Sequence, residues 1–265
     1  MTVYTREQII EQLRGIEREE NVRIVYACES GSRAWGFPSK DSDYDVRFIY
    51  VRPVEWYLSL FEKRDVIERP ISSMLDMSGW DMTKALQLFR KSNPPLLEWL
   101  QSPIPYLEET TITQQIRFLA KQAFSPRSCL YHYLHMARGN YRDYLQGDQV
   151  RLKKYFYVLR PILACRWIER ENTMPPMEFK TLVDTMLSEG SELLKDTINQ
   201  LLSRKIAGDE LDYEPRLDVL NEYLEQQFAY FETAAQAVNS ADTLAEDRLN
   251  QLFRAAIAEA WGRGI

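Results

Sequence analysis

GSRAWGFPSKDSDYDVR, residues 31–47, separates two apolar runs, VRIVYAC at 22–28 and Tyr44–Val51. Short apolar stretches rich in Val, Ile and Tyr and bounded by turn residues read as strands. Gly31 and Ser32 end the first run, and Ser32–Trp35 read as the start of a short helix before Pro38. About ten residues after the Gly-Ser pair, Asp43 and Asp45 stand on either side of Tyr44. Side chains two apart on a strand share a face, roughly 6–7 Å apart at the backbone. The spacing therefore predicts Asp43 and Asp45 side by side, with Tyr44 turned away. Two facing carboxylates repel unless a cation lies between them. Magnesium takes oxygen ligands from one or two carboxylates together with substrate phosphates, and paired ions clamp the attacking and leaving oxygens. Gly31 has no Cβ, so the backbone can approach a bulky anion. The N–H groups of residues 31–34 and the Ser32 hydroxyl are then donors to phosphate oxygens, with Arg33 adding charge. Donors fixed in advance stabilise the charge that builds on a leaving pyrophosphate.

A third carboxylate completes such a site. Asp76, in Met74-Leu75-Asp76-Met77, interrupts an apolar strand. Burying a carboxylate without a partner is costly, so its place there needs a reason. Binding the catalytic metal and taking the proton of the attacking hydroxyl would supply one. Asp81 competes for that role, but it opens a helix, where capping accounts for it. The plain alternative for the whole segment is a Gly-Ser turn followed by a solvated acidic loop, SKDSDYD.

These residues carry a family resemblance. Gly-Ser followed at this distance by Asp-x-Asp resembles the signature of the polymerase-β-like nucleotidyltransferase superfamily. The fuller strings GSRAWGFPSKDSDYDVRFIY and GWDMTKALQLFRKSNPPLLEWLQSPI are most similar to the RNA-repair-pathway, polymerase-β-family nucleotidyltransferases. The resemblance implies an α+β fold, with a small mixed sheet and flanking helices followed by a mainly helical domain. It implies two Mg2+ ions, for which Mn2+ can substitute, and transfer of a nucleoside monophosphate from a triphosphate, with ATP favoured. Carried over by position, Gly31 and Ser32 would bind the triphosphate, Asp43 and Asp45 both metals, and Asp76 the catalytic one.

Working outward, residues 5–20 read as a helix with Thr5 and Gln8 as a capping box and Ile9, Ile10, Leu13 and Ile16 as its apolar stripe. DVIERPI (65–71) and SMLDM (73–77) read as two further strands, and Pro70 confines the first to an edge or a strand end. From Asp81 the period turns helical, and after Asn93-Pro94-Pro95 nearly every segment is helical: 96–101, 111–124, 127–146, 150–172, 177–188, 191–205, 216–238 and 243–260. Pro161 either kinks or divides the helix at 150–172. The expected division is a catalytic domain at 1–105 and a helical domain at 106–265 that covers the nucleotide and acceptor cleft. The six tryptophans read mostly as core.

The chain has 265 residues and a net charge of −6, which argues against a large non-specific nucleic-acid surface. Basic residues gather between Arg117 and Arg170, so only part of the molecule is expected to face phosphate. The N-terminal segment lacks the apolar core of a signal peptide, and no later run is long enough to span a bilayer. Cys28, Cys129 and Cys165 sit at wide spacing in apolar segments and read as free thiols of a reducing cytoplasm.

Tyrosines and cations crowd the stretch 127–160, a composition able to stack a base and hold its phosphates. Related nucleotidyltransferases draw a Lys and a Tyr for the nucleotide from a helical domain, which points to Lys153, Lys154 and Tyr155. Against this, tyrosines at helical spacing commonly serve the core. His132 and His135 lack the further ligands of a zinc site and read as structural. Arg47, two beyond Asp45, reaches either substrate or the acidic cluster. The leading expectation is a magnesium-dependent nucleotidyltransferase whose acceptor is an RNA end. The alternatives are a protein- or small-molecule-adenylyltransferase of toxin–antitoxin or antibiotic-modifying type, and a nucleotide-binding regulatory module without turnover.

Overall fold

The computed structural model of the chain describes residues 4–71, 74–187, 191–209, 211–238 and 244–262. In chain order the elements are α1 (Arg6–Glu20), β1 (Arg23–Glu29), α2 (Gly31–Ala34), β2 (Tyr44–Val51), α3 (Val54–Tyr57), β3 (Val66–Glu68) and β4 (Leu75–Asp81). They continue with α4 (Met82–Arg90), α5 (Pro94–Leu100), β5 (Pro105–Leu107), α6 (Ile112–Ala123) and α7 (Pro126–Tyr144). The remainder are β6 (Gln149–Arg151), α8 (Lys154–Glu171), α9 (Phe179–Met186), α10 (Glu192–Ala207), β7 (Tyr213–Pro215), α11 (Asp218–Ala237) and α12 (Glu246–Trp261). Of the expected segments, the ends at Ser73, Ser188 and Thr243 lie outside the described residues. The fold is mixed, with a small sheet and many helices, as the resemblance implied.

Two compact units are formed. Met1–Ala34, Ser42–Ala123 and Asp242–Ile265 make the first; Trp35–Asp41 and Phe124–Ala241 make the second. The division is therefore not a single cut along the chain.

The first unit is built on a sheet with strand order β3-β4-β2-β1-β5, five-stranded among the described residues. β2 runs parallel to β4 and antiparallel to β1, and β3 closes the edge beyond β4. Pro70 follows that edge strand, where its missing N–H costs no ladder bond. One face of the sheet is core: Tyr44, Val46 and Phe48 of β2 and Leu75 and Met77 of β4 pack with Ile9, Leu13 and Ile16 of α1. Burial of each such aliphatic side chain is worth about 1.5–3 kcal/mol. The Thr5–Gln8 capping box that starts α1 is formed. Because strand side chains alternate, Asp45 and Arg47 of β2 and Asp76 and Ser78 of β4 fall on the opposite face.

The second unit is helical apart from the short β6–β7 ladder. That ladder takes Gln149–Arg151, of which Val150 and Arg151 read from spacing as the start of the helix at 150–172. The helix starts instead at Lys154 and continues unbroken through Pro161. Phe37 packs its ring against Phe156 and Phe179, with centroids 4.9 and 5.4 Å away. Of the tryptophans only Trp99 is buried; the other five are half-buried, because their large rings lie at the edges of the core. All three cysteines are free and buried, and burial pushes the Cys28 thiol up to about 12. No helix among the described residues is long and apolar enough to cross a membrane.

Candidate active site

The register of the parallel pair β2–β4 sets Asp45 directly beside Asp76. Both carboxylates emerge on the half-exposed face, with Arg47 two residues along β2. The Arg47 guanidinium lies between them: Nη2 donates to Asp45 Oδ1 at 3.1 Å and to Asp76 Oδ2 at 2.7 Å. Its Nη1 donates to the carbonyls of Val46 and Asp76. Burial raises the pKa of Asp45, and the neighbouring charges of Asp76 and Asp43 raise it further, against the pull of Arg47 and Arg33.

Gly31 lies against this cluster. Its φ is +58°, and a Cβ placed there would sit 2.0 Å from Asp45 Oδ2. Only glycine fits both the left-handed backbone and the close approach. The Asp45 peptide is held from two sides: its N–H donates to Glu29 Oε1 at 2.7 Å, and its carbonyl accepts from the Ser30 N–H at 2.8 Å. Glu29 is fully buried at the end of β1, where its Oε2 accepts from the Tyr106 hydroxyl at 2.5 Å. Burial raises its pKa; the bonds from Tyr106 and from the Asp45 N–H oppose the shift. Spacing did not single out Glu29. Its signal was a carboxylate closing a buried apolar strand immediately before Ser-Gly-Ser.

Ser32 is half-buried in α2, next to Gly31. Arg33 braces the loop: Nε and Nη2 donate to the carbonyls of Asp43 and Ser42, and the guanidinium lies over the Tyr44 ring at 3.7 Å. Asp43 is exposed and immediately precedes β2 rather than lying within it. Among the described residues no three His, Cys, Asp or Glu side chains converge as a formed metal-ligand set. The donors nonetheless suit a hard cation: all are carboxylate oxygens, and the in-register pair already has a positive group between its members.

Asp81 is fully buried and caps α4. Its Oδ1 accepts from Thr83 N–H and the Thr83 hydroxyl, and its Oδ2 from the Tyr57 hydroxyl. Burial raises its pKa, opposed by the bonds from Thr83 and Tyr57.

The cations expected from the helical stretch lie in the second unit. Lys153 lines a charged cavity of about 330 Å³ with Lys205, Ser39, Asp41, Asp209 and Asp212. Lys154 Nζ lies over the rings of Tyr144 and Tyr157 at 4.1 and 5.0 Å, and burial lowers its pKa. Tyr155 corrects the expectation made for it. It is fully buried, its hydroxyl donates to Asn221 Oδ1 at 2.5 Å and accepts from the Leu217 N–H, and no face is left for a nucleotide. His132 is half-buried edge-on to Tyr133, and His135 lines a shallow cavity with Tyr131 and Arg138.

A mixed sheet bearing an aspartate pair across parallel strands beside a Gly-Ser turn is the frame of a polymerase-β-like nucleotidyltransferase. Residues 5–255 match the model of the RNA repair pathway DNA polymerase beta family, RlaP, and the chain belongs to that family. It is 51% identical over 259 residues to the Uncharacterized protein YcgL of Bacillus subtilis (strain 168), covering 98% of this chain and 99% of that one. The crystal structure of a nucleotidyltransferase-like protein from Exiguobacterium sibiricum 255-15 aligns with 86% of this chain and 77% of its own at 14% identity, with a TM-score of 0.33.

Proposed function

We propose that this chain is a magnesium-dependent nucleotidyltransferase that moves a nucleoside monophosphate from a triphosphate, ATP favoured, onto the terminal hydroxyl of an RNA. The observation that carries the reading is the in-register pair Asp45–Asp76 beneath the Gly31 turn. Asp43, Asp45 and Asp76 would hold the Mg2+ ions, with Mn2+ able to take their place. Bound there, the metal supplies neutralisation of the triphosphate charge and a lowered pKa for the attacking hydroxyl. Asp76 receives the proton of that hydroxyl at its carboxylate. The hydroxyl oxygen bonds to the α-phosphorus as the bond to the β-phosphate oxygen breaks, and pyrophosphate leaves with the electron pair. Gly31 and Ser32 offer the backbone and hydroxyl donors to the triphosphate. Arg33 acts on it indirectly, by fixing the 42–43 carbonyls. Lys153 is exposed at its charged cavity in the second unit, and Lys154 is held by its two tyrosines. Glu29 fixes the Asp45 peptide through an already formed bond, so the carboxylate need not be ordered during reaction.

The test is label transfer from α-labelled nucleoside triphosphates to RNA ends, with protein and small-molecule acceptors run in parallel. Labelled RNA that is lost on Asp45→Asn and on Asp76→Asn supports the reading. Label on protein or on a small molecule instead would move the acceptor to those classes. Nucleotide binding with no pyrophosphate released from any acceptor would make the chain a binding module.

A further inference from the structure

Arg47 stands where the proposed site needs a divalent cation. The side chains of Arg47, Asp45 and Asp76 are 19, 28 and 29% exposed, so the bridge is partly shielded yet reachable by an ion from solvent. Without a positive charge between them, two carboxylates on directly paired positions of parallel strands repel at short range. Arg47 supplies that charge from the same strand as Asp45, one alternation away, and grips one oxygen of each carboxylate. Its Nη1 bonds to the carbonyls of Val46 and Asp76 fix the position of the guanidinium. A guanidinium and a divalent cation cannot occupy the same gap.

We propose that Arg47 is an internal counter-ion that keeps Asp45 and Asp76 aligned in the metal-free protein and competes with the divalent cation for that pair. The inference rests on the assignment of Asp45 and Asp76 as metal ligands. Arg47 thereby sets the metal affinity: metal enters by displacing a formed ion pair, and the released guanidinium becomes a free cation beside the incoming polyphosphate. A side chain that merely braced the sheet would behave in the opposite way, since its removal would loosen the ligands and weaken metal binding.

The experiment is titration of the full chain with Mn2+ in the absence of nucleotide. Loss of the free-ion electron paramagnetic resonance signal is followed for wild type, Arg47→Gln, Arg47→Lys and Asp45→Asn. The competing contact is a charge-assisted one, so its loss should tighten Mn2+ binding by about tenfold or more in Arg47→Gln. The same variant should melt below wild type in chelator, and the two melting temperatures should converge at saturating Mn2+. Arg47→Lys keeps the charge but loses the Nη1 bonds to the Val46 and Asp76 carbonyls that position it, so it should also bind Mn2+ more tightly than wild type, by a smaller factor. It carries the test if the Gln variant does not fold. Affinity unchanged or weakened in the folded Arg47 variants overturns the proposal while leaving the metal assignment intact. Wild-type protein whose Mn2+ binding is absent, or survives Asp45→Asn, overturns the metal assignment itself and this inference with it.

Discussion

Replacing Gly31 by alanine puts a methyl group into the space of the Asp45 carboxylate. The Cβ would lie 2.0 Å from Asp45 Oδ2, 2.8 Å from its Cγ and 3.3 Å from its Cβ. Ordinary contact requires the carboxylate oxygen to retreat by about 1.4 Å, with its Cγ moving as well, a shift that a side-chain end makes at lower cost than backbone. The stability loss is then dominated by the backbone: a φ of +58° carries a penalty of about 1–2 kcal/mol for any residue with a Cβ. The functional loss is far larger, because displacing a reacting group by about 1 Å can cost on the order of 10²-fold in rate. Gly31→Ala should therefore unfold in urea only slightly earlier than wild type, while nucleotidyl transfer per folded molecule falls by about 10²-fold. Mn2+ binding should weaken alongside. The paired measurement is chemical denaturation and pyrophosphate release on one preparation. Wild-type transfer by a folded Gly31→Ala protein would refute the argument that this glycine exists to admit Asp45.

Gly79→Ala probes the same logic away from the site. A Cβ there would lie 2.1 Å from the fully buried Phe48 ring, and such overpacking costs about 1–3 kcal/mol, read as an earlier urea midpoint. Asp45→Asn should abolish transfer yet leave the metal-free melting temperature at neutral pH no lower than wild type. The folded state raises the pKa of Asp45, so it binds that proton more tightly than the unfolded chain does. Wild-type stability should then fall as pH rises from the ordinary aspartate range through the raised value, and Asp45→Asn should flatten that fall. A steeper fall in the variant contradicts the assignment. Tyr155→Phe removes a buried hydroxyl that bonds Asn221 and the Leu217 N–H. It should lower stability by about 1–2 kcal/mol and leave the KM for nucleotide unchanged, whereas a raised KM with unchanged stability would return Tyr155 to the nucleotide.

What the sequence disclosed follows from which signals are local. The period-2 pattern at the start of Tyr44–Val51 was sufficient to put Tyr44 and Asp45 on opposite faces, since alternation is a property of the strand alone. Asp76 was legible because its apolar neighbours made a carboxylate incongruous there. That Asp45 and Asp76 are direct partners was not legible, because the register of β2 against β4 is set by packing of the whole sheet. The Arg47 bridge depends on that register and was hidden with it. Tyr155 failed as a nucleotide residue for a related reason. Helical spacing shows which residues share a face, but not whether that face meets solvent or Asn221. The β6–β7 ladder was missed because three-residue strands carry too short a pattern to compete with the helical period around them.

The helix α12 lies within the first unit, where Leu252, Ala256 and Ile257 are buried, although the chain reaches it only after the whole second unit. A ribosome therefore delivers the scaffold of Asp45 and Asp76 in two instalments, separated by more than a hundred residues of helix-forming polypeptide. A nascent chain that has emerged only as far as α6 still exposes the apolar surface that α12 will cover. Cleavage or stalling before Glu246 would leave a polypeptide that contains Asp43, Asp45 and Asp76 and lacks one of the helices that packs their sheet.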